Sequence, residues 1–179
     1  MSKVRYIVVM GVSGCGKSTV AALLAGRLGW SFVEGDALHP PSNVDKMSRG
    51  IPLTDADRRP WLQEIADTIQ GWRAAGQCGV VACSSLRRDY REIITGAADD
   101  LRFVYLRGSF SLIEQRLATR QGHYMPVSLL ESQFATLEEP MADEPAITLD
   151  AGAPAEDLAA SLLSVLDLTT DTMPVRKEY

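Results

Sequence analysis

The sequence predicts an α/β fold, in which helices cover both faces of a five-stranded parallel sheet. Short apolar stretches alternate along the chain with longer stretches whose apolar residues recur at helical spacing. Several of the short stretches are apolar throughout, so the strands they form are expected to be buried on both faces, as in a parallel sheet. A glycine-rich loop lies between the first strand and the first helix. These three observations together indicate a three-layer α/β/α architecture.

Apolar runs define the strands, and amphipathic spacing with capping residues and glycine stops defines the helices. The predicted strands are residues 4–10, 31–33, 79–83, 101–106 and 146–149. The predicted helices are residues 19–28, 42–49, 55–75, 88–95, a stretch around 112–117, 128–137 and 155–166. Because such sheets bind their ligands beyond the carboxyl ends of the strands, the residues that follow each strand should face one cleft.

The glycine-rich loop fits the G-x-x-x-x-G-K-[ST] phosphate-binding pattern without a mismatch. Its glycines let backbone N–H groups turn towards phosphate oxygens, and the positive end of the following helix adds a site for anions. This chemistry assigns Lys17 to the β- and γ-phosphates and the Ser18 hydroxyl to Mg²⁺. The loop predicted to bind the nucleotide consists of Gly11, Val12, Ser13, Gly14, Cys15, Gly16, Lys17, Ser18 and Thr19.

Two carboxylates follow the second predicted strand. Glu34 and Asp36 are separated by Gly35, and strand alternation places them on the same side. A carboxylate beside a nucleotide can orient a water bound to Mg²⁺ or accept a proton from an attacking hydroxyl. For this segment taken alone, a turn with solvated acids remains the alternative.

Composition and charge indicate one globular domain over residues 1–179. The formal net charge is −5, with 46% hydrophobic and 23% charged residues. This acidic balance argues against a nucleic-acid partner held by bulk electrostatics. Three cysteines without metal-ligand spacing fit a reducing cytosol, and the N-terminal apolar run is too short for a signal peptide or a membrane span. We therefore expect a cytoplasmic protein that binds neither nucleic acid nor membrane.

A segment rich in functional side chains follows Asp36, and prolines fix its backbone. The motifs G-D-A-L-H-P at residues 35–40 and D-A-D-R-R-P-W-L at residues 55–62 closely resemble the gluconokinase family. Further similarity lies in C-S-S-L at residues 83–86 and in G-H-Y-M-P at residues 122–126. The members of this family are small ATP-dependent kinases related in fold to shikimate kinase and the nucleoside monophosphate kinases. The resemblance extends over residues 4–166.

The resemblance implies transfer of the γ-phosphoryl group of ATP, with Mg²⁺, to the 6-hydroxyl of D-gluconate. The product, 6-phospho-D-gluconate, would feed the pentose phosphate and Entner–Doudoroff routes. In this interpretation Asp36 hydrogen-bonds the attacking hydroxyl and takes its proton, and Glu34 holds a water on the metal. Arg58 and Arg91 are the candidates for the gluconate carboxylate. The candidates for its hydroxyls are His39, Lys46, Ser84, His123 and Gln133.

The resemblance implies a mobile lid at about residues 116–134. Arg116 and Arg120 lie one helical turn apart, and an anion between them would reverse their mutual repulsion. We expect lid closure to bring one or both onto the phosphates and to exclude water, which places Arg120 with Lys17 and Asp36 among the catalytic residues.

The resemblance also implies an organisation for the rest of the chain. Residues 36–62 would bind the acceptor, residues 151–154 would lie near the adenine, and residues 168–179 form a polar tail. Relatives are often dimers, so a homodimer is one option, although no stripe of residues in the sequence supports an interface.

Two alternatives remain open from the residues alone. One is another small-molecule kinase of the same fold that acts on shikimate or adenylylsulfate. Shikimate kinases are similar at the phosphate loop and around Asp36, but they lack a His-Pro pair after the aspartate. The other is a nucleotide-dependent switch protein, which hydrolyses ATP slowly and has no need of a polyol pocket.

Overall fold

One five-stranded parallel sheet forms the centre of the computed structural model, which describes residues 3–119 and 127–168. Its strands are β1 (Tyr6–Met10), β2 (Ser31–Glu34), β3 (Gly79–Ala82), β4 (Leu101–Arg107) and β5 (Ala146–Asp150). The helices are α1 (Lys17–Leu28), α2 (Pro41–Ser48), α3 (Asp55–Ala74), α4 (Arg88–Thr95), α5 (Phe110–Thr119), α6 (Val127–Thr136) and α7 (Ala155–Val165). The spatial order of the strands is β2-β3-β1-β4-β5. The predicted fold class is confirmed.

The strand β1 lies at the centre of the sheet and all five of its residues are buried, as its unbroken apolar sequence predicts. Ile7 and Val9 belong to one hydrophobic core, which also contains residues of α1 and α7. Tyr6, Val8 and Met10 belong to a second core, with residues of α3 and α4. Helices therefore cover both faces of the sheet.

A short 3₁₀ turn, Gly35–Leu38, is the element that local patterns did not predict. The helix α3 begins at the Thr54 cap, where the Thr54 hydroxyl accepts from the Asp57 amide and the Asp57 carboxylate accepts from the Thr54 amide. This capping box satisfies two backbone donors at the start of the helix. None of the helices within residues 3–119 and 127–168 is both long and apolar enough to cross a membrane.

All neighbouring strands are parallel, so their carboxyl ends meet at one edge of the sheet. The first residues beyond the strands, in chain order, are Gly11, Gly35, Cys83, Gly108 and Ala151. The phosphate loop, the two predicted carboxylates and the Ser84 segment therefore share one end of the molecule, where a ligand crevice is expected.

Candidate active site

The phosphate loop joins the end of β1 to the start of α1. Its three glycines have positive φ angles of 140° at Gly11, 83° at Gly14 and 102° at Gly16, a region that favours glycine. There is also no room for a side chain at Gly11, where a Cβ would lie 2.8 Å from the Cys15 sulfur and 3.0 Å from the Leu106 carbonyl oxygen. Backbone shape thus favours glycine at all three positions, and close packing adds to this requirement at Gly11.

The loop presents hydrogen-bond donors to the cleft. Lys17, Ser18 and Thr19 form the first turn of α1, and the N–H groups of a first helical turn have no acceptor within their own helix. Ser18 and Thr19 are exposed, so anions can reach this end. The Lys17 ammonium donates to the Val12 carbonyl oxygen at 3.0 Å, which holds it against the loop.

Two helices contact the phosphate loop from the side of the predicted lid. Arg116 on α5 donates to the Cys15 carbonyl oxygen at 3.4 Å. Gln133 on α6 accepts a 2.7 Å hydrogen bond from the Ser13 amide through its Oε1 atom. Gln133 was expected to bind a substrate hydroxyl, and the structure instead places its carbonyl oxygen on the loop. Arg120 and His123, two further predicted site residues, lie outside the described residues.

The Glu34–Asp36 turn is shaped by close contacts with two other elements. A Cβ at Gly35 would lie 2.5 Å from the Ala82 carbonyl oxygen of β3, so no other residue fits there without movement. On α3, the buried Trp61 donates a 2.7 Å hydrogen bond from its indole nitrogen to the Gly35 carbonyl oxygen. These contacts hold the half-buried Glu34 and the exposed Asp36 at the end of β2.

His39 packs on the same tryptophan. The two rings are stacked with centroids 4.1 Å apart and planes inclined by 19°. Burial lowers the pKa of His39, while the charge of Asp36 opposes this shift. The buried Asn43 amide lies 3.3 Å from the Nδ1 atom of His39, so a neutral ring can accept from it there. The imidazole is therefore held in place and favoured in its neutral form.

Lys46 joins α2 to α3 through a two-pronged ion pair. Its ammonium lies 2.7 Å and 2.8 Å from the two oxygens of the Asp57 carboxylate. Hydrogen bonds from Lys46 and from Thr54 lower the pKa of Asp57 to about 2. Asn43 adds a hydrogen bond to the Asp57 carbonyl oxygen at 2.9 Å. The predicted acceptor segment is thus tied together by its own side chains.

Arg58 is partly exposed and its contacts are long. Its guanidinium lies 3.4 Å from the Tyr90 hydroxyl and 3.6 Å from the Asp55 carboxylate. The Tyr90 hydroxyl donates to that same carboxylate at 2.6 Å. A guanidinium in such a setting keeps donors available for an anion, as the prediction for Arg58 requires.

Arg91 was predicted to bind the substrate carboxylate, and in the structure it binds a carboxylate of the protein. Its side chain is only 2% exposed, and it forms bonds of 2.6 Å and 2.9 Å to the Glu144 carboxylate. It also donates to the carbonyl oxygens of Ser85 at 3.1 Å and Glu138 at 2.9 Å. The carboxylate that Arg91 binds thus belongs to the protein. One sequence signal is consistent with burial: Arg91 lies three residues before the buried Ile94, on the same helical face.

Ser84 lies beside the phosphate loop, half-buried after the end of β3. Its carbonyl oxygen accepts a 3.2 Å hydrogen bond from the Gly11 amide. Trp61 belongs to the D-A-D-R-R-P-W-L motif, but no role in the site was predicted for it from the sequence. Its signal was the Pro-Trp pair at the start of α3, next to the charged residues of the acceptor segment.

The fold and the loop define a nucleotide-dependent kinase of the P-loop class, and a family model described as an AAA domain matches residues 7–140. A gluconokinase from Gluconobacter oxydans (strain 621H) is 56% identical over 81% of this chain and 82% of its own. The crystal structure of a gluconokinase from Sinorhizobium meliloti 1021 superposes with a TM-score of 0.83 at 44% identity, covering 93% of this chain and 94% of that one. The chain belongs to the gluconokinase family.

A shikimate kinase from Aquifex aeolicus vf5 has the same fold at much lower sequence similarity. Its TM-score is 0.60 at 15% identity, over 90% of this chain and 96% of that one. Similarity at this level shows the shared architecture alone.

Proposed function

We propose that this kinase transfers the γ-phosphoryl group of ATP to the 6-hydroxyl of D-gluconate. Membership of the gluconokinase family supports the substrate pair. The structural observation that carries the proposal is that the phosphate loop and the Glu34–Asp36 turn lie at the same edge of the sheet, on either side of β3 and Cys83. The proposed base Asp36 and the phosphate-binding Lys17 thus lie at the same end of the sheet, one on each side of β3.

The nucleotide half consists of the loop and the residues that contact it. Backbone N–H groups from Gly14 to Ser18 would cradle the phosphates, and Lys17 would follow the charge as it moves during transfer. Arg116, already bonded to the loop, is close enough to join it. Arg120 completes the set in our proposal, carried to the phosphates when the lid closes.

The residues near the loop suit Mg²⁺, which prefers oxygen ligands. The Ser18 hydroxyl lies exposed in the first turn of α1, and the Glu34 carboxylate ends β2. We propose that Ser18 contacts the ion directly and Glu34 through a water. When bound, the ion neutralises charge on the phosphate oxygens.

The acceptor half would position the gluconate 6-hydroxyl at Asp36. The Asp36 carboxylate accepts the hydroxyl proton as the oxygen attacks the γ-phosphorus, while the bond from that phosphorus to the β–γ bridging oxygen breaks and ADP leaves. The tight turn at Gly35 fixes where this carboxylate stands. Positioning of the two reactants supplies most of the catalysis in such transfers.

The gluconate carboxylate is assigned to Arg58, since Arg91 is fully engaged with Glu144. His39, Lys46 and Ser84 remain the proposed partners of the substrate hydroxyls, with His123 added from the lid. The proposed organisation is a single domain over residues 1–179, with the acceptor segment at 36–62 and the lid at 116–134. A cytoplasmic location and a homodimer also remain predictions.

A coupled assay for ADP release tests the proposal. D-gluconate, shikimate, adenylylsulfate, other sugar acids and nucleoside monophosphates are each offered with ATP and Mg²⁺. We expect turnover with D-gluconate well above the rate without acceptor. Turnover with another acceptor but none with D-gluconate would overturn the proposed substrate, and slow ATP hydrolysis that no acceptor changes would indicate a switch protein.

A further inference from the structure

We propose that Arg91 is a positioning residue for phosphoryl transfer: together with Glu144 it holds the Ser84–Ser85 turn against the phosphate loop. This inference rests on the proposed function for its kinetic test. The turn follows β3 and lies between the two halves of the site, so its placement affects both.

The guanidinium of Arg91 binds a carboxylate with one edge and two backbone carbonyl oxygens with its remaining nitrogen. Its Nε and Nη2 atoms bind the two oxygens of the Glu144 carboxylate at 2.6 Å and 2.9 Å. Its Nη1 atom donates to two backbone carbonyls, those of Ser85 at 3.1 Å and Glu138 at 2.9 Å. Glu144 thus fixes the plane of the guanidinium, and that plane determines where the two carbonyls are held.

Ser85 has a backbone conformation that needs outside support. Its φ is 46°, in the left-handed region that disfavours residues with a Cβ, and the residue is fully buried. Strained residues of this kind persist when surrounding contacts hold them. The bond from Arg91 to the Ser85 carbonyl is such a contact. One residue earlier, the Ser84 carbonyl oxygen accepts from the Gly11 amide of the phosphate loop.

Arg91 also anchors the chain that follows α6. Glu138 accepts from Arg91, and its own amide donates to the Leu86 carbonyl oxygen at 2.7 Å. On α6 itself, Gln133 accepts from the Ser13 amide of the loop. The single side chain of Arg91 therefore joins two segments that each contact the phosphate loop, one at Gly11 and one at Ser13.

A lysine at position 91 cannot form this set of hydrogen bonds. Its donors radiate from one nitrogen, whereas the guanidinium spreads its donors over a rigid plane that spans a carboxylate and two carbonyls. An Arg91→Lys variant keeps the charge opposite Glu144 and loses the geometry. The substitution therefore tests the position of the turn with the buried charge still balanced.

The chain offers a matched control in Arg73. Its Nη2 and Nε atoms bind the Asp100 carboxylate at 2.6 Å and 3.2 Å, again as a two-pronged pair. Asp100 directly precedes β4, at the edge of the sheet opposite the phosphate loop. Arg73→Lys makes the same chemical change far from the site.

We expect Arg91→Lys to lower kcat/KM for D-gluconate by about 10-fold or more, because small displacements of a reacting geometry have effects of this size. Arg73→Lys should change it by less than about two-fold even where both variants lower the melting temperature, because its partners Asp100 and Tyr6 lie at the amino ends of β4 and β1, away from the site. Adding Ser85→Gly to Arg91→Lys should recover most of the loss, since glycine adopts the left-handed conformation without support. Equal effects at Arg91 and Arg73, or a loss that Ser85→Gly does not recover, would overturn the proposal.

If Arg91→Lys does not fold, Glu144→Gln takes its place, with the same expected direction and the same two overturning results. Hydrogen exchange separates this inference from the proposed function. We expect the Gly11 amide to lose protection in Arg91→Lys and to keep it in Arg73→Lys, whether or not D-gluconate is the acceptor. Undiminished protection at Gly11 would refute the role of Arg91, whereas a wild-type protein inactive on D-gluconate would refute only the proposed substrate.

Discussion

The indole nitrogen of Trp61 donates a 2.7 Å hydrogen bond to the carbonyl oxygen of Gly35. Through this bond α3 fixes the position of the turn that carries Asp36, and the same indole stacks on His39. Two proposed acceptor-binding residues, Asp36 and His39, are therefore held in position by one tryptophan. Trp61 links the folding of α3 to the shape of the acceptor site.

Trp61→Phe is expected to weaken acceptor binding. Phenylalanine can still stack on His39, but the buried Gly35 carbonyl loses its partner, at a cost of about 1–2 kcal/mol in the free energy of unfolding. We expect a higher KM for D-gluconate and little change in the KM for ATP. Denaturant unfolding and steady-state kinetics measure the two effects. Trp72→Phe is the control, because Trp72 packs over Gly79 at the opposite edge of the sheet; an equal rise in the gluconate KM there would contradict the assignment.

Lys17→Ala should lower kcat by at least about 100-fold, because it removes the positive charge that we propose follows the transferred group. The fold should survive, since the side chain makes one backbone hydrogen bond at 3.0 Å, worth about 1 kcal/mol. Turnover and melting temperature are measured together, with the exposed Lys3→Ala as reference. Near-normal turnover in Lys17→Ala would refute the role of the loop.

Asp36→Asn should reduce kcat by about 100-fold or more while the affinity for ATP stays close to wild type, because the amide cannot accept the hydroxyl proton. Asp67→Asn, at an exposed position of α3 beyond the acceptor segment, makes the same change outside the site and should leave kcat unaltered. A variant in which only the KM for D-gluconate rises would make Asp36 a binding residue and not the base.

Acid should destabilise the protein partly through Asp57. Its pKa in the folded protein is about 2, held down chiefly by the hydrogen bond from Lys46, whereas an unfolded aspartate titrates near about 3.9. Its stabilising contribution is therefore complete above about pH 4 and is lost as the pH falls towards about 2. Unfolding measured across this range should show a shallower pH dependence in Asp57→Asn than in the wild type. Identical slopes would exclude Asp57 as a source of acid lability.

The regular elements could be predicted because their signals are local. The apolar run of β1, the helical spacing of α3 and the Thr54 cap each lie within one stretch of sequence. The 3₁₀ turn at Gly35–Leu38 could not be predicted in this way. Glycine is required at position 35 because a Cβ there would clash with the Ala82 carbonyl oxygen. That contact is with another strand, and no local sequence pattern encodes it.

Chemistry and spacing coincide in the phosphate loop, so its role could be proposed from the sequence alone. Arg91 shows the limit, since an arginine beside a cleft looks the same in sequence whether its anion is a ligand or a side chain. Its partner Glu144 lies 53 residues further along the chain, and only the fold brings them together. The contact of Gln133 with Ser13 could not be predicted for the same reason, because the two residues lie 120 positions apart in the chain.

The strand order has a consequence for how acceptor choice can change. Everything proposed to recognise gluconate in the described structure, from β2 to α4, is one uninterrupted stretch of chain on one side of β1. The strands β4 and β5 lie on the other side, and the adenine is expected near residues 151–154, after β5. Most of the proposed acceptor contacts can therefore be inherited as a block, so that exchanging residues 31–84 together with His123 between kinases of this architecture, with the Arg91–Glu144 pair left in place, should transplant the acceptor while leaving the use of ATP intact.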